Sequence, residues 1–283
     1  MVAILGRPSA GKSTLINALC GGKVSIVSPV PQTTRNQVRG ILNASEGQLL
    51  LIDTPGYQLS EKKLNTLLRR TARTSLQGVD VALGIVDGSR PQGEEEQEVL
   101  RLVTKVSPHL LAVNKIDLPA AARRVAEIAD RSGEEVIGVS ALTGEGLPVL
   151  QDRLFALSPP GPRLYPDDHY TDQPPQFRIA EIIREQAILR THDELPHALY
   201  VEIADLETRP GELLWVRAFI NVERDSQRGI VVGRAGEKIR AIRLEAQAQL
   251  NKVFSQEVHL DLRVKVHKKW RSDDDLLRGL AER

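Results

Sequence analysis

Short apolar runs separated by amphipathic stretches dominate the first half of the chain. Val2-Ala3-Ile4-Leu5 reads as a buried strand, and Thr14 to Leu19 as the opening of a helix. Further runs at Val38–Leu42, Leu49–Ile52, Val81–Val86, Leu110–Asn114 and Val136–Ser140 are separated by helical stretches. Most of them alternate as βα units, which predicts an α/β domain with a mostly parallel sheet and helices on both faces. Lys62 to Gln77 has amphipathic helical spacing, and a helix from roughly Leu147 to Leu157 ends the pattern. Glu94-Glu95-Glu96 falls early in a helix, where acidic residues suit the dipole, and reads as a solvated face.

After Ser158-Pro159-Pro160-Gly161-Pro162 the pattern changes. With further prolines at 166, 174 and 175, residues 159–175 read as a stiff, extended linker between a first unit at 1–158 and a second at 176–283. The second unit is smaller and of α+β type. Phe177 to Leu189 has helical spacing, with Ile179, Ile182 and Ile183 on one face, and Leu199–Leu206 and Leu213–Val222 alternate like paired strands joined across Arg209-Pro210-Gly211. Then come the run Gly229 to Ile239, a helix to about Val253 and a final strand at Val258–Val266. The order is α-β-β-α-α-β.

Composition changes this picture little. The 283 residues suit two domains, and a net charge of only +1 means that affinity for a polyanion must come from local clustering. The single cysteine, Cys20, excludes an internal disulfide, reads as a small core residue and fits a reducing compartment. No apolar run reaches membrane-spanning length, and no signal-peptide core is expected. The first strand begins at Val2, so a few residues that precede it in relatives are expected to be missing. The six histidines include no pair at metal spacing, His192 and His197 being separated by Pro196.

The candidate chemistry begins with Gly6-Arg7-Pro8-Ser9-Ala10-Gly11-Lys12-Ser13, which fits G-x-x-x-x-G-K-[ST] between a strand and a helix. In such a loop the N–H groups of Gly6, Ser9, Ala10, Gly11, Lys12, Ser13 and Thr14 cradle phosphates at a helix N-terminus. Lys12 reaches the β- and γ-phosphates, and the Ser13 hydroxyl ligates Mg²⁺. A threonine of Gln32-Thr33-Thr34-Arg35 supplies a hydroxyl to the metal and an N–H to the γ-phosphate. In Asp53-Thr54-Pro55-Gly56, Asp53 holds the metal through water and Gly56 donates its N–H to the γ-phosphate. Asn114-Lys115-Ile116-Asp117 carries the residue types that grip guanine. The Asp117 carboxylate accepts from N1–H and the exocyclic amine, Asn114 bonds the other edge, and the Lys115 stem lies along the ring. Adenine presents a lone pair where guanine presents N1–H, and a site built on such a bond rejects the wrong analogue by about 10⁴-fold. Ser140-Ala141-Leu142 braces the far face of the base. Alone, N-K-x-D and Ser-Ala are weak signals. All these pieces in this order, at the ends of predicted strands where open α/β sheets bind ligands, are a strong one.

On these motifs the first half resembles the translation-factor-related P-loop GTPases, and the whole chain resembles the Era family of ribosome-assembly GTPases. The resemblance implies Thr34, rather than Thr33, as metal ligand. It also implies a catalytic set of Lys12, Thr34 and Gly56 acting by positioning and electrostatics on an attacking water. Ras-like relatives place a glutamine directly after Asp-x-x-Gly. Here Tyr57 stands there, with Gln58 one residue on, and Arg35 is a weak candidate for an arginine finger. Unaided turnover is therefore expected on the order of 10⁻³ s⁻¹ or below. Many relatives carry asparagine where this chain has Ser9, which puts potassium-assisted hydrolysis in doubt.

The second unit resembles a type II KH domain, whose G-x-x-G loop clamps about four unpaired nucleotides. Gly233-Arg234-Ala235-Gly236 is that loop. Lys238, Arg240 and Arg243 extend its charge, and Ile230, Val232 and Ile239 are expected to floor the bases. Lys265, His267, Lys268, Lys269 and Arg271 form an ambiguous basic end, beside which Trp270 reads as core. The family resemblance implies a monomeric, cytoplasmic GTP switch with Mg²⁺, binding small-subunit (16S) ribosomal RNA and assisting small-subunit assembly, with some relatives peripheral at the inner face of the membrane. The alternative is an RNA-binding adaptor in which GTP is regulatory or structural and hydrolysis incidental.

Overall fold

A computed structural model describes residues 1–31, 33–57, 66, 70, 72–119 and 121–281. The chain divides into two compact units, one formed mainly by Met1–Val27 and Pro31–Asp172, the other mainly by Gln173–Ala281.

The first unit is built on a six-stranded sheet with strands β1 (Val2–Gly6), β2 (Val38–Ala44), β3 (Gly47–Asp53), β4 (Val81–Asp87), β5 (His109–Asn114) and β6 (Val136–Val139), in the order β2-β3-β1-β4-β5-β6. All pairings are parallel except β2 with β3, a hairpin. The helices are α1 (Lys12–Cys20), α2 (Glu94–Val103), α3 (Ala121–Ser132) and α4 (Leu147–Leu157). The uninterrupted apolar strands are explained by their period of two. Val2 and Ile4 pack with Leu15 and Ile16 of α1 and Leu150 and Leu154 of α4. Ala3 and Leu5 pack with Val99 and Val103 of α2 and Ile128 of α3. Both faces are covered, so neither tolerates polar residues. Each fully buried Leu or Ile stabilises by roughly 1.5–3 kcal/mol.

Of the helix expected over Lys62–Gln77, residues 66, 70 and 72–74 are described and helical; the remainder of its first half, like Gln32 and Gln58, lies outside the described residues. Glu96, read as part of a solvated face, is instead buried and paired with Arg124. The stretch expected as a stiff, extended linker is tied along part of its length to the β2 edge. Ile41 N–H donates to Tyr170 O at 2.9 Å, and the Thr171 hydroxyl to Arg39 O at 2.8 Å. Gln48 Oε1 accepts from Leu164 and Tyr165 N–H at 2.9 and 3.0 Å. An edge strand offers a row of unpaired backbone groups, and an extended segment satisfies them. Pro-rich composition reveals extension and stiffness, not what the segment lies against.

The second unit has helix α5 (Pro175–Leu189), strands β7 (Leu199–Arg209) and β8 (Leu213–Val222), helices α6 (Asp225–Val232) and α7 (Glu237–Val253), strand β9 (Val258–Val266) and helix α8 (Asp274–Ala281). β7 and β8 are antiparallel, and β8 and β9 parallel. Val216, Ala218 and Ile220 of β8 meet Ile179 and Ile183 of α5, Val231 of α6 and Ile242, Ala246 and Leu250 of α7. Trp270 is core, as its size predicts. It is 1% exposed, donates Nε1–H to Ala198 O at 3.0 Å and packs on Tyr200 with ring centroids 5.0 Å apart. Among the described residues, no helix is long and apolar enough to cross a membrane.

Candidate functional site

The phosphate-binding loop turns between β1 and α1, and its shape is enforced by close contacts. Gly11 has φ 88°, and a Cβ there would lie 2.2 Å from Asn114 Nδ2, so no other residue fits. Lys12 Nζ donates to Gly6 O and Arg7 O, both at 3.1 Å. Burial pulls its ammonium down to about 8, against the opposing pull of Asp53. A charge held at such cost needs an anion nearby.

Ser13 Oγ lies 2.9 Å from Thr34 Oγ1 and donates to Asp53 Oδ2 at 2.8 Å. Ser25, which the sequence did not single out, donates to the same oxygen at 2.8 Å. Of the two threonines, Thr34 is the one brought to Ser13. Asp53 is fully buried, which raises its carboxyl pKa despite Lys12, Ser25 and Ser13, and its Oδ1 has no hydrogen-bond partner. Clustered hard oxygens with one orphaned carboxylate atom fit Mg²⁺. It uses one or two carboxylates plus phosphates, and its octahedral edge at bonds of 2.0–2.1 Å is about 2.9 Å. Among the described residues no group of three His, Cys, Asp or Glu could hold a metal. Gly56 runs against Pro8, and Tyr57 N–H donates to Gly6 O at 3.1 Å, joining the Asp53 loop to the phosphate loop. Tyr57 is 1% exposed, with Arg73 donating to its hydroxyl at 2.8 Å. Arg35 is buried.

The base end is joined to this pocket by Asn114. Its Nδ2 donates to Ala10 O at 2.9 Å, and its Oδ1 accepts from Lys115 N–H at 2.8 Å and Ala141 N–H at 3.0 Å. The expectation that Asn114 serves the base edge thus meets an amide largely spent on bracing three loops. The strand register puts Asn114 beside the phosphate loop, which one-dimensional spacing does not disclose. Ser140 Oγ donates to Asp117 Oδ1 at 2.6 Å, orienting that carboxylate. Ala141 is buried and Leu142 80% exposed, so the Ser-Ala-Leu segment presents backbone on one side and solvent on the other. Lys115 takes φ 71° and extends Nζ to Asp87 Oδ2 at 2.9 Å. Asp87 also went unnoticed, although its place at the end of β4 was a usable signal. The Cys20 thiol, partly buried against the core, is pushed up to about 12 by burial.

In the second unit Gly233-Arg234-Ala235-Gly236 joins α6 to α7. Gly233 has φ 77°, and a Cβ there would meet Lys238 Cβ at 2.8 Å. Arg234 and Arg240 are exposed, and Lys238 and Arg243 half-buried. Among the described residues these four form no ion pair, nor does exposed Arg228 on α6, which sequence reading missed. Ile230 is exposed, Val232 half-buried, and Ile239 packs partly against the core. The basic end is partly engaged. Tyr200 Oη lies 2.7 Å from His267 Nδ1, Lys265 Nζ sits 3.2 Å from the Phe219 ring centroid, and Arg271 pairs with Glu223.

A family model described as a 50S ribosome-binding GTPase matches residues 1–115, and a KH-domain model matches 194–271. GTPase Era of Treponema denticola is 45% identical over 289 residues, covering 99% of this chain and 98% of that protein. GTPase Era of Borreliella burgdorferi is 41% identical, covering 98% and 97%. Two solved structures match at a TM-score of 0.93 and 32% identity, covering 99% of this chain and 98% of theirs. One is an Aquifex aeolicus Era variant bound to GDP·AlF4⁻. The other is Era with MgGDPNP and nucleotides 1506–1542 of 16S ribosomal RNA. With a P-loop GTPase domain and a KH domain in this order, the chain belongs to the Era family of GTPases.

Proposed function

We propose that this chain is a GTP-hydrolysing switch that binds small-subunit ribosomal RNA through its KH domain and assists small-subunit assembly. The observation that carries the reading is Asn114. It bonds the phosphate loop, the base loop and the Ser140-Ala141-Leu142 loop at once, so phosphate and guanine recognition share one rigid pocket. The relative solved with MgGDPNP and a 16S segment supports the same ligands here.

Asp117 would read N1–H and the exocyclic amine, with Ser140 fixing the carboxylate plane. Lys12 and the loop N–H groups would neutralise the γ-phosphoryl oxygens, where charge builds in the transition state. Ser13, Thr34 and Asp53 would hold Mg²⁺, which when bound offsets phosphate charge. Thr34 and Gly56 would sense the γ-phosphate. Arg234, Lys238, Arg240 and Arg243, with the amides at the start of α7, would take the RNA backbone. The reading places the chain in the cytoplasm, with peripheral contact at the inner face of the membrane.

Tyr57 favours a second reading, an RNA adaptor with incidental hydrolysis. It is buried and bonded to Arg73 at the position where a glutamine would orient water. Both readings predict slow unaided turnover. Coupling separates them, since linkage is reciprocal. RNA affinity is measured with GDPNP, with GDP and without nucleotide. The switch requires different values, and three equal values leave the adaptor.

A further inference from the structure

The Asp87 carboxylate lies outside the recognised motifs yet is wholly buried at the end of β4, in register with Asn114. Its Oδ2 accepts from Lys115 Nζ at 2.9 Å, and its Oδ1 from Ser89 N–H at 3.0 Å and Ser89 Oγ at 2.5 Å. Arg7 of the phosphate loop and Arg90 approach to 3.9 and 3.8 Å, beyond hydrogen-bond reach. Burial alone would raise this carboxyl, and the bonds from Ser89 and Lys115 overcome it, holding the group below the usual carboxylate range. It is therefore a permanent, pre-oriented anion.

Lys115 needs such a partner. Its backbone sits in the left-handed region, which strains a residue that carries a Cβ. One end of the residue is fixed by its N–H on Asn114 Oδ1 and the other by Nζ on Asp87, so the aliphatic stem between them is immobilised. A stem fixed before ligand arrives pays no ordering entropy on binding.

We propose that Asp87 is a positioning residue for guanine nucleotides, acting through Lys115 to preset one wall of the base site. This rests on the guanine site proposed above. The base contact is remote from the reacting phosphoryl group, so its loss weakens GTP and GDP alike and leaves the chemical step unchanged.

The test is a double-mutant cycle on the full chain, with GDP as the titrated ligand. Asp87→Asn is expected to raise the Kd for GDP about tenfold or more, the scale of a hydrogen bond between charged groups. In the Lys115→Met background the same change is expected to cost less than about threefold. KM for GTP rises in Asp87→Asn while kcat holds. An equal cost in both backgrounds, or none in the unaltered chain, overturns the proposal. Should Asp87→Asn not melt cooperatively without nucleotide, Ser89→Ala takes its place in the cycle, with a smaller rise that must likewise vanish when Lys115 is replaced. Failure of the unaltered chain to bind GDP would refute the guanine site itself, a different result from GDP binding that ignores Asp87.

Discussion

The nucleotide pocket and the G-x-x-G loop handle charge in opposite ways. In the pocket several ionic and amide groups are withdrawn from water and bonded to their neighbours, while Lys115 is half-buried and Asp117 exposed. Asp53 and Asp87 are wholly buried, Asn114 is 2% exposed and Lys12 6%. In the loop between α6 and α7 Arg234 stands in solvent, and Lys238, Arg240 and Arg243 of α7 form no ion pair among the described residues. The first arrangement recognises one small ligand by shape and hydrogen-bond pattern, at the cost of desolvation already incurred in folding. The second meets a polyanion mainly by releasing counterions, which requires cations that stay hydrated until contact. Changes in the pocket should therefore be large and non-additive, and removal of single cations around the loop modest, nearly additive and salt-dependent.

The sharpest way to break that contrast is Asp117→Asn. Affinity for GTP should fall by about 10⁴-fold and xanthosine triphosphate should be favoured, because an amide donates to the C2 carbonyl of xanthine. Competition binding measures both, and intact GTP affinity would remove the base-recognition argument. Gly11→Ala comes next. A Cβ at φ 88° overlapping Asn114 Nδ2 must spread the loops, so nucleotide binding should be lost, with a drop in melting temperature. In the other region, Gly236→Asp should abolish RNA binding and leave GDP affinity unchanged. Gly236 has φ 78°, and a Cβ there would come no nearer than 4.0 Å to Ile239, so an aspartate meets backbone strain without a clash and its charge opposes phosphate. Filter binding and GDP titration on one preparation check both halves.

The next outcome is a pH dependence. Lys12 titrates near 8 in the folded chain against 10.5 for an ordinary lysine. Between those values the unfolded chain holds more protons, so the stability of the nucleotide-free protein rises with pH in that window. Nucleotide affinity moves the other way, falling as pH passes 8, because the phosphates need the ammonium. Parallel melting and GDP titrations from pH 7 to 10 should diverge, and a parallel course would contradict the buried-charge account. The smallest effect belongs to Arg234→Gln, which should reduce the slope of log affinity for RNA against log salt by about 1 and leave sequence preference intact.

Much of both units could be read from residue order. The period of two in the strands placed Val2 and Ile4 against one helical layer and Ala3 and Leu5 against the other. The phosphate loop and G-x-x-G were legible because their backbone demands glycine at fixed spacing, and both sites are local in sequence. What could not be read is non-local. Asn114 reaches Ala10 across 104 residues and Lys115 reaches Asp87 across 28, and nothing in a tetrapeptide says which carbonyl or carboxylate will face it. The docking of the strap from Leu164 to Asp172 was not legible because proline content speaks only of stiffness, while the edge of β2 that captures it belongs to another part of the chain. Sequence determined which groups are present and how the backbone may bend around them. Register and packing alone decided which of those groups meet in the absence of water, and there hydrogen-bond geometry and charge count for most.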